Sequence, residues 1–88
     1  MIILEKYLLT NLKGKKMQVI LYTMNNCPKC RMQKAHLDSL NIQYETKDLM
    51  DNLDFARENN IQSAPALVID NKIYTELVSP IKLKELLN

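Results

Sequence analysis

Stretches of different hydrophobic period follow one another along this chain. Gln18-Val-Ile-Leu-Tyr-Thr23 is a β-branched and aromatic run with the length of a buried strand. Met24-Asn25-Asn26 reads as a turn, and Pro28 suits the first position of a helix, where its missing N–H costs nothing. That helix is expected to reach about Leu40. Cys30, Leu37 and Leu40 would face inward, with Met32 and Ala35 flanking and Gln33 interrupting the stripe. Ile42 to Lys47 alternates as a second strand, with Ile42 and Tyr44 on one side. Asp48 or Asp51 can cap a helix with Leu53, Phe55 and Ala56 among its apolar positions, ended by Asn59-Asn60. Ala66-Leu-Val-Ile69 is a third strand. Asp70-Asn71 can supply the positive φ of a tight hairpin, and Lys72 to Glu76 returns. Ser79 caps a last helix with Pro80 in its first turn and Ile81, Leu83, Leu86 and Leu87 as the buried stripe. From residue 18 the order is β-α-β-α-β-β-α. Two β-α-β crossings imply parallel pairing and the last hairpin antiparallel pairing. The expected fold is α/β, a mixed four-stranded sheet flanked by helices on both faces.

Residues 1–17 stand apart from this rhythm. Ile2, Ile3, Leu4, Leu8, Leu9 and Leu12 could pack as a short helix or strand, so the chain divides into an N-terminal extension, 1–17, and a domain, 18–88. The extension holds Lys6, Lys13, Lys15 and Lys16 against Glu5, which leaves the rest almost neutral within a net charge of +2. Its basic cluster is short and reads as a solvated linker, so no nucleic-acid partner is expected. Glu5 and Lys6 break its apolar stretch and no small-residue cleavage site follows, so it does not read as a signal peptide. No apolar run approaches the roughly 20 residues of a membrane helix. The expectation is a cytoplasmic monomer without a membrane partner.

Composition removes most catalytic classes. One glycine leaves no Gly-rich phosphate loop, and one histidine, His36, leaves little for a triad or a multi-histidine metal site. The distinctive chemistry is sulfur. Cys27-Pro28-Lys29-Cys30 follows a strand and opens a helix. There Cys27 sits near the N-cap, where free backbone N–H groups and the positive end of the helix dipole favour an anion. Lys29, Arg31 and Lys34 add positive charge. Thiols in such C-x-x-C settings fall from about 8.5 to roughly 3.5–7.5. Cys27 is expected to be exposed and to attack a substrate disulfide, and Cys30, one turn inward, to resolve the mixed disulfide. As a staple the pair is poor, since so short a loop gains only about 2 kcal/mol from chain entropy. Zinc would need further ligands beyond His36, or a dimer sharing four thiolates. The pair could also be incidental. The strand-turn-helix setting favours a redox dithiol over both, and His36 reads as a surface helix residue.

Ser63-Ala64-Pro65 precedes the third strand, where proline suits a strand's first residue. With the placed C-x-x-C, Val19-Ile-Leu-Tyr-Thr and the Leu67-Val-Ile-Asp hairpin, it resembles the thioredoxin superfamily. The likeness is greatest to glutaredoxins and small glutaredoxin-like redoxins, over roughly residues 18–87. The resemblance implies a thioredoxin-like fold and a thiol–disulfide oxidoreductase. It implies a cis Pro65 beside the dithiol, with Pro28, Lys29, Ala64 and Pro65 supporting the substrate around catalytic Cys27 and Cys30. It implies no bound cofactor or metal, a redox-active disulfide, a disulfide-containing protein substrate, and either glutathione or thioredoxin reductase as recycling reductant. The chain departs from the glutaredoxin pattern at Met24, where that family usually has Lys or Arg. It departs again at Lys29 for Tyr or Phe, at Ala64 for Thr or Val, and at Thr75-Glu76 for Gly-Gly. Glu76 would repel a glutathione carboxylate. Tyr22-Thr23-Met24-Asn25-Asn26-Cys27 also resembles the redoxins that serve ribonucleotide reductase. The alternative is a non-catalytic metal- or partner-binding module on the same fold.

Overall fold

The structure, a computed structural model, describes residues 8–10 and 16–87. Its elements are β1 (Leu8–Thr10), β2 (Lys16–Thr23), α1 (Pro28–Ser39), β3 (Glu45–Asp48), a 3-10 turn (Leu49–Asp51), α2 (Leu53–Glu58), β4 (Ala66–Ile69), β5 (Lys72–Tyr74) and α3 (Pro80–Leu87). β2 is the central strand. It pairs parallel with β3, from Ile20 opposite Glu45 to Thr23 opposite Asp48, and antiparallel with β4, from Val19 opposite Ile69 to Tyr22 opposite Ala66. β5 completes the expected mixed sheet by pairing antiparallel with β4. β2 begins at Lys16, two residues ahead of the expected strand, and three residues of the extension pair with it, Leu8 opposite Gln18 to Thr10 opposite Lys16.

The side-chain period of two divides the core. Val19 and Leu21 of β2 and Leu67 and Ile69 of β4 join Leu37 of α1 and Leu83 and Leu87 of α3 on one face. Ile20 and Tyr22 of β2 and Ala66 of β4 join Leu49, Ala56 and Ile61 on the other. Burying Val, Leu or Ile side chains on both faces contributes about 1.5–3 kcal/mol each, which makes β2 the best-anchored element.

A chain with one glycine must find its left-handed positions elsewhere, and this one uses Asn and Asp. Asn26, Asn41, Asn60, Asp70 and Asn71 all have positive φ, and their short polar side chains tolerate it better than bulky ones do. Asn41 ends α1 in a Schellman motif: its N–H donates to Asp38 and that of Ile42 to Leu37. Asn60 ends α2 the same way, through Arg57 and Ala56. In each case the following isoleucine, Ile42 or Ile61, drops into the core. Asp70 and Asn71, at φ 53 and 83, make the expected hairpin turn. The Ser79 hydroxyl accepts from the Lys82 N–H at 3.2 Å and caps α3 as expected.

Several local expectations are corrected. β3 starts at Glu45 rather than Ile42, because the Ile42 N–H is committed to the α1 cap. Met32 is 50% exposed and Ala35 exposed, since the inner stripe of α1 is Cys30, Gln33 and Leu37 and both lie about half a turn away from it. Ile81 is 72% exposed for the same reason relative to Leu83 and Leu87. Leu53 is largely exposed too. Asp48 caps the 3-10 turn, accepting from the Met50 N–H, while α2 has Asn52 at its N-cap, with no side-chain cap bond.

Candidate active site

Strand pairing gathers the chemistry at one end of the sheet. β2 exits at Thr23 into the turn Met24 to Asn26, and the left-handed Asn26 swings the chain into α1. Tyr22 opposite Ala66 brings Pro65, the residue before β4, level with that exit. The Ala64–Pro65 peptide is cis, and Pro65 is buried. β5, antiparallel to β4, delivers the Thr75–Ser79 segment to the same end.

Cys27 is the N-cap of α1 and Pro28 its first residue. The cap acceptor is sulfur: Cys27 Sγ receives the Cys30 N–H at 3.1 Å, the bond an oxygen of Ser or Asp makes at ordinary helix starts. The Cys27 carbonyl accepts from Arg31 at 3.3 Å and closes the first helical turn. Cys27 and Cys30 are joined as a disulfide with Cα atoms 5.2 Å apart. Burial separates the two: Cys27 is half-buried and Cys30 only 3% exposed. An attacker from solvent therefore meets the Cys27 sulfur first.

A groove of about 410 Å³ opens beside Cys27. One wall is Met24, Asn25 and Asn26, the second Cys27 to Lys29, the third Ser63 and Ala64. Its lining is mainly apolar. Met24 and Ala64 rest on the core cluster that contains Tyr22, whose ring stacks on Phe55 with centroids 4.7 Å apart. Of the expected support residues, Pro28, Lys29 and Ala64 line the groove, and Pro65, next to Ala64 in sequence, is buried and not part of the lining. A second cleft of about 440 Å³ lies between the end of β5 and α3, lined by Thr75, Glu76, Ser79 and Lys82 among others.

A family profile described as glutaredoxin matches residues 19–74. The chain belongs to the glutaredoxin family. Curated protein sequences give no match. Among solved structures, the thioredoxin-like protein BC3987 superposes with a TM-score of 0.68 at 27% identity, covering 80% of this chain and 100% of its own. Glutaredoxin 1 from Francisella tularensis, solved with cacodylate, gives 0.56 at 26% identity, covering 78% of this chain and 90% of its own. Mitochondrial thioredoxin 3 from Saccharomyces cerevisiae gives 0.59 at 22% identity, covering 90% of each, which shows the shared fold. A glutaredoxin fold with a C-x-x-C pair at disulfide distance supports a redox function of the thiol–disulfide type.

The glutaredoxin domain also holds a polar feature that sequence reasoning took for a flaw. Gln33, fully buried one turn beyond Cys30, pairs both ways with the backbone of Val78. Its Nε2 donates to the Val78 carbonyl at 3.0 Å, and its Oε1 accepts from the Val78 N–H at 2.8 Å. His36 Nδ1 lies 3.1 Å from the same carbonyl, and because a carbonyl only accepts, Nδ1 carries the proton of that bond. His36 is therefore half-buried and structural, not a free surface residue. A polar residue at a buried helical position was the available signal. Among the described residues no group of three His, Cys, Asp or Glu side chains comes together to hold a metal, and no helix is long and apolar enough to cross a membrane.

Proposed function

We propose that this glutaredoxin-family chain is a dithiol–disulfide oxidoreductase acting on protein disulfides, with residues 18–88 as the active unit, 1–17 an appendage, and the cytoplasm its site of action. The observation that carries the reading is Cys27 Sγ at the N-cap of α1, accessible and accepting the Cys30 N–H, with Cys30 bonded to it and shielded. In the reduced protein the same N–H and the helix dipole favour the Cys27 thiolate over the thiol. That thiolate attacks one sulfur of a substrate disulfide. A Cys27–substrate bond forms, the substrate S–S bond breaks, and the departing sulfur leaves as a thiolate. The Cys30 thiol, after losing its proton to solvent, attacks Cys27 Sγ. The Cys27–Cys30 bond forms and the second substrate sulfur departs. Two electrons pass to the substrate, and the site is left in the bonded form described above.

A thiol or dithiol reductant must then return two electrons. Met24 supplies no cation to the groove and Glu76 adds a negative charge to the cleft, against one lysine in each lining, Lys29 and Lys82; on that balance a thioredoxin-reductase-type donor is the reading put forward over glutathione. Insulin disulfide reduction tests the activity, and full activity in Cys27→Ser refutes it. A coupled assay comparing glutathione and its reductase with thioredoxin reductase tests the donor. Faster turnover with glutathione refutes that part.

A further inference from the structure

We infer that the outward face of α1, from Pro28 through Met32 to Ala35, is a docking surface for a folded redox partner. That partner presents an apolar side chain flanked by carboxylates beside its disulfide. The inference rests on the oxidoreductase reading above and names the partner's chemistry. Pro28, Met32 and Ala35 follow one another at intervals of four and three residues, which stacks them on one side of the helix. All three are exposed, opposite the buried Cys30, Gln33 and Leu37, and Met32 keeps 50% of its surface in solvent. At 1.5 Å per residue the ridge runs about 10 Å down the helix. It begins at the residue next to Cys27, and its Met32 and Ala35 lie outside the groove lining. Even a weak redox interface buries on the order of 500 Å² on each side, so a protein bonded to Cys27 covers more than the sulfur's immediate neighbours.

Charge selects the occupant. From Met24 to Leu37 the chain holds Lys29, Arg31 and Lys34 and no carboxylate. Asp38, the first acid beyond, accepts the Tyr44 hydroxyl. Among the described residues the one ion pair is Arg57 with Asp54, so no carboxylate closes on Lys29 or Arg31. Those two exposed cations lie on either side of the ridge. The exposed apolar pair Met50 and Leu53 differs: it borders a groove whose Asp54 and Arg57 already satisfy each other at 2.8 Å.

The test uses a small folded helical protein whose single surface cysteine is held as a mixed disulfide with thionitrobenzoate. Cys27 of the reduced chain attacks the probe's sulfur. The Cys27–probe bond forms, the probe's S–S bond breaks, and thionitrobenzoate leaves as a coloured thiolate. Versions of the probe border the cysteine with leucine and glutamates, with leucine and lysines, or with serines alone. Each rate is divided by that of the mixed disulfide of mercaptoethanol and thionitrobenzoate, which is too small to reach Met32 and carries any change in thiolate reactivity. The leucine–glutamate probe is expected to exceed the serine probe about tenfold in this ratio, through burial of the ridge. It is expected to exceed the leucine–lysine probe about threefold at low salt, as exposed charges allow. Met32→Ser is expected to lower the leucine–glutamate ratio about fivefold and leave the mercaptoethanol probe's rate unchanged, while Met32→Leu keeps both. Arg31→Glu is expected to put the lysine probe ahead, and Leu53→Ser, on α2, to move no ratio. An unaltered ratio in Met32→Ser, an equal fall in Leu53→Ser, or a charge preference unchanged in Arg31→Glu overturns the inference and leaves the oxidoreductase reading standing. Release from none of the probes overturns both.

Discussion

Helix α1 carries two polar devices, nearly two turns apart, and they differ in what they leave unsatisfied. At the first turn, Cys27 Sγ caps the helix at the surface, bordered by an open groove. Six residues on, the Gln33 amide is sealed in the core with its oxygen and one N–H both bonded to Val78. The first has access and a reactive bond, and the second has neither. A buried amide whose nitrogen and oxygen are both paired is an anchor: it ties α1 to the segment that leads into α3, 45 residues away in sequence. The capped, accessible sulfur is where exchange can happen. Polarity on this helix becomes chemistry only where solvent and a partner can reach it.

The comparison can be broken at either device. Cys27→Ser is expected to abolish turnover in the insulin assay, whereas Cys30→Ser is expected to keep the first attack and accumulate a mixed disulfide detectable by mass. Equal, complete inactivity of both, with no adduct, would mean the two sulfurs have no division of labour. At the anchor, Gln33→Leu leaves the Val78 N–H buried without its partner and is expected to cost about 1–3 kcal/mol, read as a drop in the denaturant midpoint. The rate of Cys27 alkylation should change far less. A variant as stable as the wild type would show that the pair is not an anchor. The Ser79 cap is a smaller case, and Ser79→Ala is expected to cost about 1 kcal/mol by the same measurement.

The smallest expected effect lies at Tyr44. Partial burial first, then the hydrogen bond to Asp38 at 3.1 Å and that carboxylate's charge, raise its pKa above the ordinary value of 10.0. The folded state therefore favours the neutral phenol. The resulting stabilisation is complete below the unfolded value and is lost as pH rises through the higher folded one. Asp38→Asn is expected to bring the phenolate absorbance titration back toward the ordinary value, and an unmoved titration would assign the shift to burial alone.

Much of this layout was legible in the residues themselves. The β2 run, Pro28 at N1, the Asp70-Asn71 turn and the Ser79 cap are local signals, and each is found where local chemistry puts it. What escaped was non-local. Gln33 looked like a defect because its partner is the backbone of Val78, a group every residue owns and no sequence marks. Met32 and Ala35, expected to flank the stripe of α1, and Ile81, expected within the buried stripe of α3, are exposed because short helices bury only a narrow stripe. Of the candidate site, Cys27, Cys30, Lys29 and Ala64 lie together in the structure, while the cis Ala64–Pro65 bond is an expectation that only the family resemblance carries. An X–Pro sequence alone has only about a 5–6% chance of being cis.

The most direct measurement is the pH dependence of iodoacetamide alkylation of Cys27 in Cys30→Ser. If the start of α1 holds the sulfur as an anion, the midpoint falls well below the ordinary thiol value of about 8.5. A midpoint at or above that value would contradict the account.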